Sequence, residues 1–268
     1  MRTGALLLVA LFAAVSAEAA KLKGIKGDDD RVTVAASEYP WSTVGRLHNG
    51  QGGHCSAVLI GPRLAVTAAH CLWNRKTRRP MPAAALRLVV GWERGEYLRA
   101  AAVARTEIAP GWRFDVPYGP GPASVDWALL ELAEPLGDEV GWMALGTAPG
   151  EGMAVTTVGY GQDRKHVPTA HIGCRIKARL PQGAWTHDCD AVHGDSGAPV
   201  LVWSGGAPRL VGIHVATFSP ANGPALGGTV GIDAFAAAAA KMGAAGDSRP
   251  GPLSKPLDPA VRALLDGR

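Results

Sequence analysis

From Val44 onward, glycine and proline turns cut the chain into short apolar runs, and this punctuation limits the fold more than any other feature. In the first half the runs are STVGRL, SAVLIG, LAVTAA, ALRLVVGW and WALLEL. In the second they are MAVTTVGYG, CRIKARL, APVLVW and RLVGIHVA. They are brief, and β-branched residues or apolar alternation recur in them. Many short strands at this spacing read as an all-β barrel or sandwich. Residues 136–150, LGDEVGWMALGTAPG, carry turn residues where one half passes to the other. DAFAAAAAKMG, residues 233–243, is the exception. It is Ala-rich, starts at an Asp that can cap and ends at a Gly that can stop a helix. Residues 244–268 are rich in Pro, Gly and charge. A flexible tail is expected there, with a helical turn near DPAVRALL.

The 268 residues, 47% of them hydrophobic, suffice for one large domain or two small ones with a core. Charged residues are 19% of the chain and the formal net charge is +4. The one basic cluster, Arg75 to Arg79, has no interleaved aromatics and reads as a solvated loop, not a nucleic-acid site. At the N-terminus, Arg2 precedes the apolar run Ala5–Val15, and Ala17-Glu18-Ala19 follows. The run is short for a membrane span, and the pattern is that of a secretory signal, residues 1–19, cut after Ala19, with an uncleaved anchor as the alternative. Residues 20–35 form a polar, extended segment. Export to an oxidising compartment, secreted or periplasmic, gives meaning to the four cysteines, Cys55, Cys71, Cys174 and Cys189. Three disulfide connectivities are open to them, and pairing of sequence neighbours closes one short loop in each half. Metal ligation lacks the usual Cys-x-x-Cys or clustered-His spacing.

AVHGDSGAPV, residues 191–200, raises a chemical question, because Ser196 either fills a turn or attacks a carbonyl. A serine nucleophile needs a base in hydrogen-bond reach and a third group that fixes the base's tautomer. His70, in LAVTAAHCLW, follows small apolar residues that let the backbone pack against the imidazole. Asp126, in VDWALLEL, heads an apolar run where an unpaired carboxylate would be costly, so an imidazole partner is expected.

TAAHC, DWALLEL and GDSGAP occur in the order His, Asp, Ser, which excludes the subtilisin and α/β-hydrolase arrangements. With YPWSTVGRL and HCSAVLIGPRLAVTAAHC they make the chain resemble the chymotrypsin/trypsin family of serine proteases over residues 36–242. The resemblance implies two antiparallel six-stranded β-barrels with a C-terminal helix, and a protease domain spanning 36–243. It implies Ser196 as nucleophile, His70 as base, Asp126 as its partner, and the backbone N–H groups of Gly194 and Ser196 as oxyanion hole. It also implies a Cys55–Cys71 disulfide, and Cys174 is expected as the partner of Cys189. The expected protein is a secreted monomeric endopeptidase acting on proteins or peptides. It uses no cofactor or metal, binds no nucleic acid, and is free of membrane once the leader is removed. A binding protein without catalysis and an esterase-type acyl hydrolase are the alternatives.

The second half departs from animal trypsins, since Val192 stands where they carry a cysteine. Its style is closer to secreted bacterial members, including the glutamyl-endopeptidase group. Specificity stays open among three pockets. Asp190, six residues before Ser196, favours basic substrates by the trypsin pattern. His214, eighteen residues after Ser196, favours a glutamyl carboxylate, although Ala191 lacks the hydroxyl such relatives carry after the Asp. The third reading is a mild apolar pocket with both residues structural. GDDDRVTV also resembles a propeptide ending in Arg31, which would free Val32 to pair with Asp195. The stretch from Val32 to Pro40 is short for that reach.

Overall fold

The computed structural model describes residues 22–114, 116–117, 119–219 and 223–266. The expected leader, residues 1–19, lies outside them. Strands β1 (Val44–His48), β2 (His54–Leu59), β3 (Leu64–Thr67), β4 (Arg87–Val90), β5 (Arg99–Ile108) and β6 (Ala128–Leu132) close one antiparallel barrel. Strands β7 (Ala154–Gly159), β8 (Thr169–Arg179), β9 (Ala184–His187), β10 (Pro199–Ser204), β11 (Ala207–Phe218) and β12 (Leu226–Gly231) close a second. Around each ring the strands follow the same order, first, second, third, sixth, fifth, fourth. Closure removes the open edges that short strands would otherwise expose. The barrel reading therefore stands over the sandwich.

One apolar core runs through Val58, Leu88 and Leu129 of the first barrel to Tyr160, Leu201, Ile213 and Phe235 of the second. A smaller cluster gathers Val155, Ile176, Trp185 and Val211 about the Cys174–Cys189 disulfide. Strands β5, β9 and β12 were not evident from sequence. β5 begins with an alanine run and β12 reads LGGTVG, so neither has strong intrinsic strand character. Pairing within the closed ring holds them extended. The Ala-rich helix forms at Ala236–Lys241, but Asp233 lies in a preceding 3-10 turn and does not cap it. Gly243, at φ +93°, ends it as expected.

The segment after residue 243 is docked, contrary to the expectation of a flexible tail. The Ala245 amide donates to Ile60, and the Leu253 and Lys255 amides donate to Glu139 and Ser37. Arg249–Pro250 pairs with Gly141–Trp142, and the Arg249 guanidinium lies over the Trp142 ring at 4.4 Å. A helix at Pro259–Asp266 buries Leu265. Backbone pairing and a few apolar anchors outweigh the tail's polar composition. Among the described residues no helix is long and apolar enough to cross a membrane.

Candidate active site

His70 sits in the 3-10 turn Ala69–Leu72, directly after β3. Ala65, Ala68 and Ala69 are fully buried around that turn, so the backbone packs closely where the imidazole emerges. Asp126, just before β6, is completely buried. Its Oδ1 accepts the His70 backbone N–H at 2.8 Å and its Oδ2 accepts from Nδ1 at 2.7 Å. With Nδ1 committed as donor, the neutral ring carries its lone pair on Nε2. The Cys55–Cys71 disulfide ties β2 to the residue after His70. His70 and Ser196 line the same cleft, of about 640 Å³. The Ser56 amide of β2 donates to the Ser196 carbonyl at 2.8 Å, which pins the serine turn to the first barrel. Cys55, His70 and Cys71 cluster like metal ligands, but both sulfurs belong to the disulfide and offer no thiolate.

Gly194 has φ +100°, and a Cβ there would meet the Tyr160 carbonyl and stand 3.0 Å from His54 Nε2. Only glycine fits that close approach. Two buried side chains of β2 hold the surroundings. His54 Nε2–H donates to the Tyr160 carbonyl at 2.7 Å. Ser56 Oγ donates to the Gly194 carbonyl at 3.0 Å and accepts the Tyr160 amide at 2.9 Å. Burial lowers the His54 pKa to about 4, so the ring is neutral and its Nδ1 faces Arg46 Nη2 at 3.2 Å. With their carbonyls fixed, Gly194 and Ser196 present N–H groups that donate to no described acceptor. Asp195, between them, is buried, and burial raises its pKa to about 7. Its Oδ2 accepts the Val192 amide at 2.8 Å. None of His54, Ser56, Tyr160 or Arg46 carries a local sequence signal, because their role depends on the contact between barrels.

The two candidate specificity residues part company. Asp190 accepts the Lys26 amide at 2.7 Å and the Asp30 amide at 3.1 Å, with His171 Nδ1 3.5 Å from its carboxylate. It faces the N-terminal segment and does not line the cleft. His214 does line it. The Cys189 amide donates to His187 Nδ1 at 3.1 Å, so the proton of neutral His187 is on Nε2. That Nε2 lies 3.1 Å from His214 Nδ1 and donates to it, which places the His214 proton on Nε2. Burial, and then the Lys26 charge, lower the His214 pKa to about 3, and burial lowers that of His187 as well. Both rings are therefore neutral with fixed tautomers. The cleft is also lined by Lys23, Arg75, Arg78 and Arg113, and by no carboxylate among the described residues.

Two six-stranded barrels with Ser, His and Asp at their junction make a chymotrypsin-like arrangement. The chain belongs to the trypsin family, whose model, described as Trypsin, matches residues 30–238. A glutamyl endopeptidase of Bacillus licheniformis is 28% identical over 148 residues, 53% of this chain and 44% of that relative's own length. A solved structure of Glu endopeptidase in complex with MPD superposes with a TM-score of 0.67 at 21% identity. It covers 81% of this chain and 99% of that one, and it shares the fold.

Proposed function

We propose that this chain is a secreted or periplasmic serine endopeptidase that cleaves after acidic residues. The observation that carries the activity is the buried Asp126 carboxylate fixing the His70 tautomer in the cleft that holds Ser196. Ser196 Oγ attacks the scissile carbonyl and His70 Nε2 takes its proton. The developing oxyanion accepts from the Gly194 and Ser196 N–H groups. His70 then protonates the leaving amine, and water, activated by the same base, hydrolyses the acyl-enzyme. Export is supported by the two disulfides and the leader-like N-terminus.

Acidic selectivity is favoured by three features. The trypsin-like acid Asp190 is already occupied by the N-terminal segment. The proton relay Cys189–His187–His214 leaves His214 with an Nε2–H to donate to a carboxylate in the cleft. Four cations and no described carboxylate line that cleft, and two similar proteins are glutamyl endopeptidases. Peptide-library profiling of the mature protein, run beside fluorophosphonate labelling, tests both levels. Labelling at Ser196 with cleavage after Glu or Asp is expected. Cleavage after Arg or Lys would overturn the acidic pocket alone, and folded protein without labelling would overturn the enzyme.

A further inference from the structure

We propose that the side chain of Arg31 is the internal cation that holds the Asp195 carboxylate, and with it the Gly194–Ser196 turn, so that residues 22–34 remain part of the working enzyme. The inference rests on the endopeptidase reading above and makes Arg31 a positioning residue. Arg31 is the residue at which sequence suggested an activating cut. In the fold it is buried, with its side chain 1% exposed. Nε and Nη2 donate to the two oxygens of Asp29 at 2.9 and 2.8 Å. Nη2 and Nη1 donate to the two oxygens of Asp163 at 2.7 and 3.2 Å. This double fork fixes the guanidinium and aims Nη1 at Asp195 Oδ2, 4.0 Å away. Arg164 closes the cluster by donating to Asp29 at 2.7 Å and to the Arg31 carbonyl at 3.0 Å.

A buried carboxylate needs a nearby cation or it takes a proton. Asp195 Oδ1 lies against Gly159 and has no hydrogen-bond partner among the described residues, so Oδ2, with the Val192 amide and Arg31, carries the stabilisation. The charged groups around it are Arg31 and Asp29 of the N-terminal segment and Asp163 of the adjacent turn, where Arg164 pairs with Asp29; His54 of the first barrel, beside Gly194, is neutral. Arg31 draws the Asp195 pKa down against burial, whereas Asp163 and Asp29 push it up.

The rest of the segment is laced to the strand leading into the serine turn. The Lys26 and Asp30 amides hold Asp190, Gly24 accepts the Ala191 amide at 3.2 Å, and Lys26 Nζ donates to the Cys189 carbonyl. Val32 and Thr33 pair with Ala170 and Thr169. A protease cutting after Arg31 would first have to pull its guanidinium from two carboxylates, and the cut would sever that cation from the domain.

Two experiments test the proposal. The first uses the unaltered protein and needs no activity. In native protein treated with trypsin, the Arg31–Val32 bond is expected to stay intact while exposed sites such as Arg75 are cut. The active enzyme is expected to begin upstream of Asp29. Rapid cleavage at Arg31, or full activity from a chain starting at Val32, would overturn the proposal. The second compares Arg31→Gln and Arg31→Lys across the pH range. Losing the cation raises the Asp195 pKa, and a rise of about one unit means a roughly ten-fold loss of the ionised form below it. The acid limb of kcat should move to higher pH in Arg31→Gln with KM little changed, and Arg31→Lys should restore part of it. An unmoved limb and a wild-type kcat in Arg31→Gln would sink the idea. A folded wild-type protein that never hydrolyses peptides would instead overturn the functional reading, while protection of Arg31 is scored apart from it.

Discussion

Strand β3 of the first barrel and β9 of the second occupy the same place in their rings, and both are fully buried, yet β3 reads Leu-Ala-Val-Thr and β9 reads Ala-Trp-Thr-His. Across from His187, Gly227 of β12 leaves room for the ring, since a Cβ there would run into the imidazole. β3 leads into His70, whose proposed role needs a proton that comes and goes. It is framed by small apolar side chains and one buried acid. β9 leads to Cys189 and Asp190, and its histidine passes a fixed tautomer to His214. The same architecture thus serves two needs. An apolar frame leaves one proton mobile, whereas a polar relay in a buried site fixes where protons stay.

Ser196→Ala should give the largest effect, on the order of a million-fold in kcat, because it removes the nucleophile that the two barrels jointly position. Purified variant with most of its activity would break the assignment of roles to both barrels. Asp126→Asn comes next, with a fall of about ten thousand-fold. The backbone N–H of His70 claims the amide oxygen of the variant, so the amide nitrogen faces Nδ1 and reverses the tautomer. Steady-state rates on one peptide measure both variants.

The disulfides provide a matched pair, since they span 16 and 15 residues. Replacing either pair by alanine should cost a similar amount, about 3 kcal/mol on loop entropy. Urea unfolding of the two double variants checks this. The Cys55/Cys71 variant is expected to lose kcat, and the Cys174/Cys189 variant to lose selectivity. The reverse pattern would contradict the division between the barrels.

His187→Ala should weaken selectivity for acidic substrates by roughly 1.5–3 kcal/mol, the worth of a hydrogen bond to a charged group, while other cleavage is spared. Cleavage profiles that do not change would show that the relay does not set the pocket.

A separate expectation, read from folding and not from activity, is stability against pH. The unfolded chain takes up protons at His54, His187 and His214 as pH falls through about 6.5. Folded His54 refuses one until about 4 and folded His214 until about 3. Stability should therefore fall as pH drops from about 6.5 towards 4. Asp195 acts in the opposite sense, because the folded form already holds its proton below about 7. Three histidines outweigh one carboxylate. A urea midpoint that rises with acid would argue against neutral His187 and His214.

The candidate site was legible as a grouping because His70, Asp126 and Ser196 sit in stretches whose residue types serve one local purpose each. The turn at Gly194, the small residues before His70 and the apolar run after Asp126 all point the same way. Ring closure was less legible. Alanine in β5 and glycine in β12 carry weak strand preference, and only tertiary pairing makes them strands. The orientation of Asp190 was hidden for a different reason. Its partners, Lys26 and Asp30, lie over 150 residues away in sequence, and nothing local tells a carboxylate which neighbour will claim it. The same distance concealed Arg31 and Asp195. The tail was misjudged because composition reports solvation of side chains and says little about backbone pairing.

That tail crosses from one barrel to the other. Gly246, Asp247 and Ser248 bond to Arg209 and Pro208 of β11, whereas Ala245, Leu253 and Lys255 bond to Ile60, Glu139 and Ser37. In mechanical language it is a brace over a joint. The proposed base rides on one side of that joint and the proposed nucleophile on the other, so any swivel of the barrels is a change of aim between His70 and Ser196. Misplacement by 1 Å can cost about a hundred-fold in rate. The stiffness of a strap remote from the cleft is thus also the steadiness of the shot.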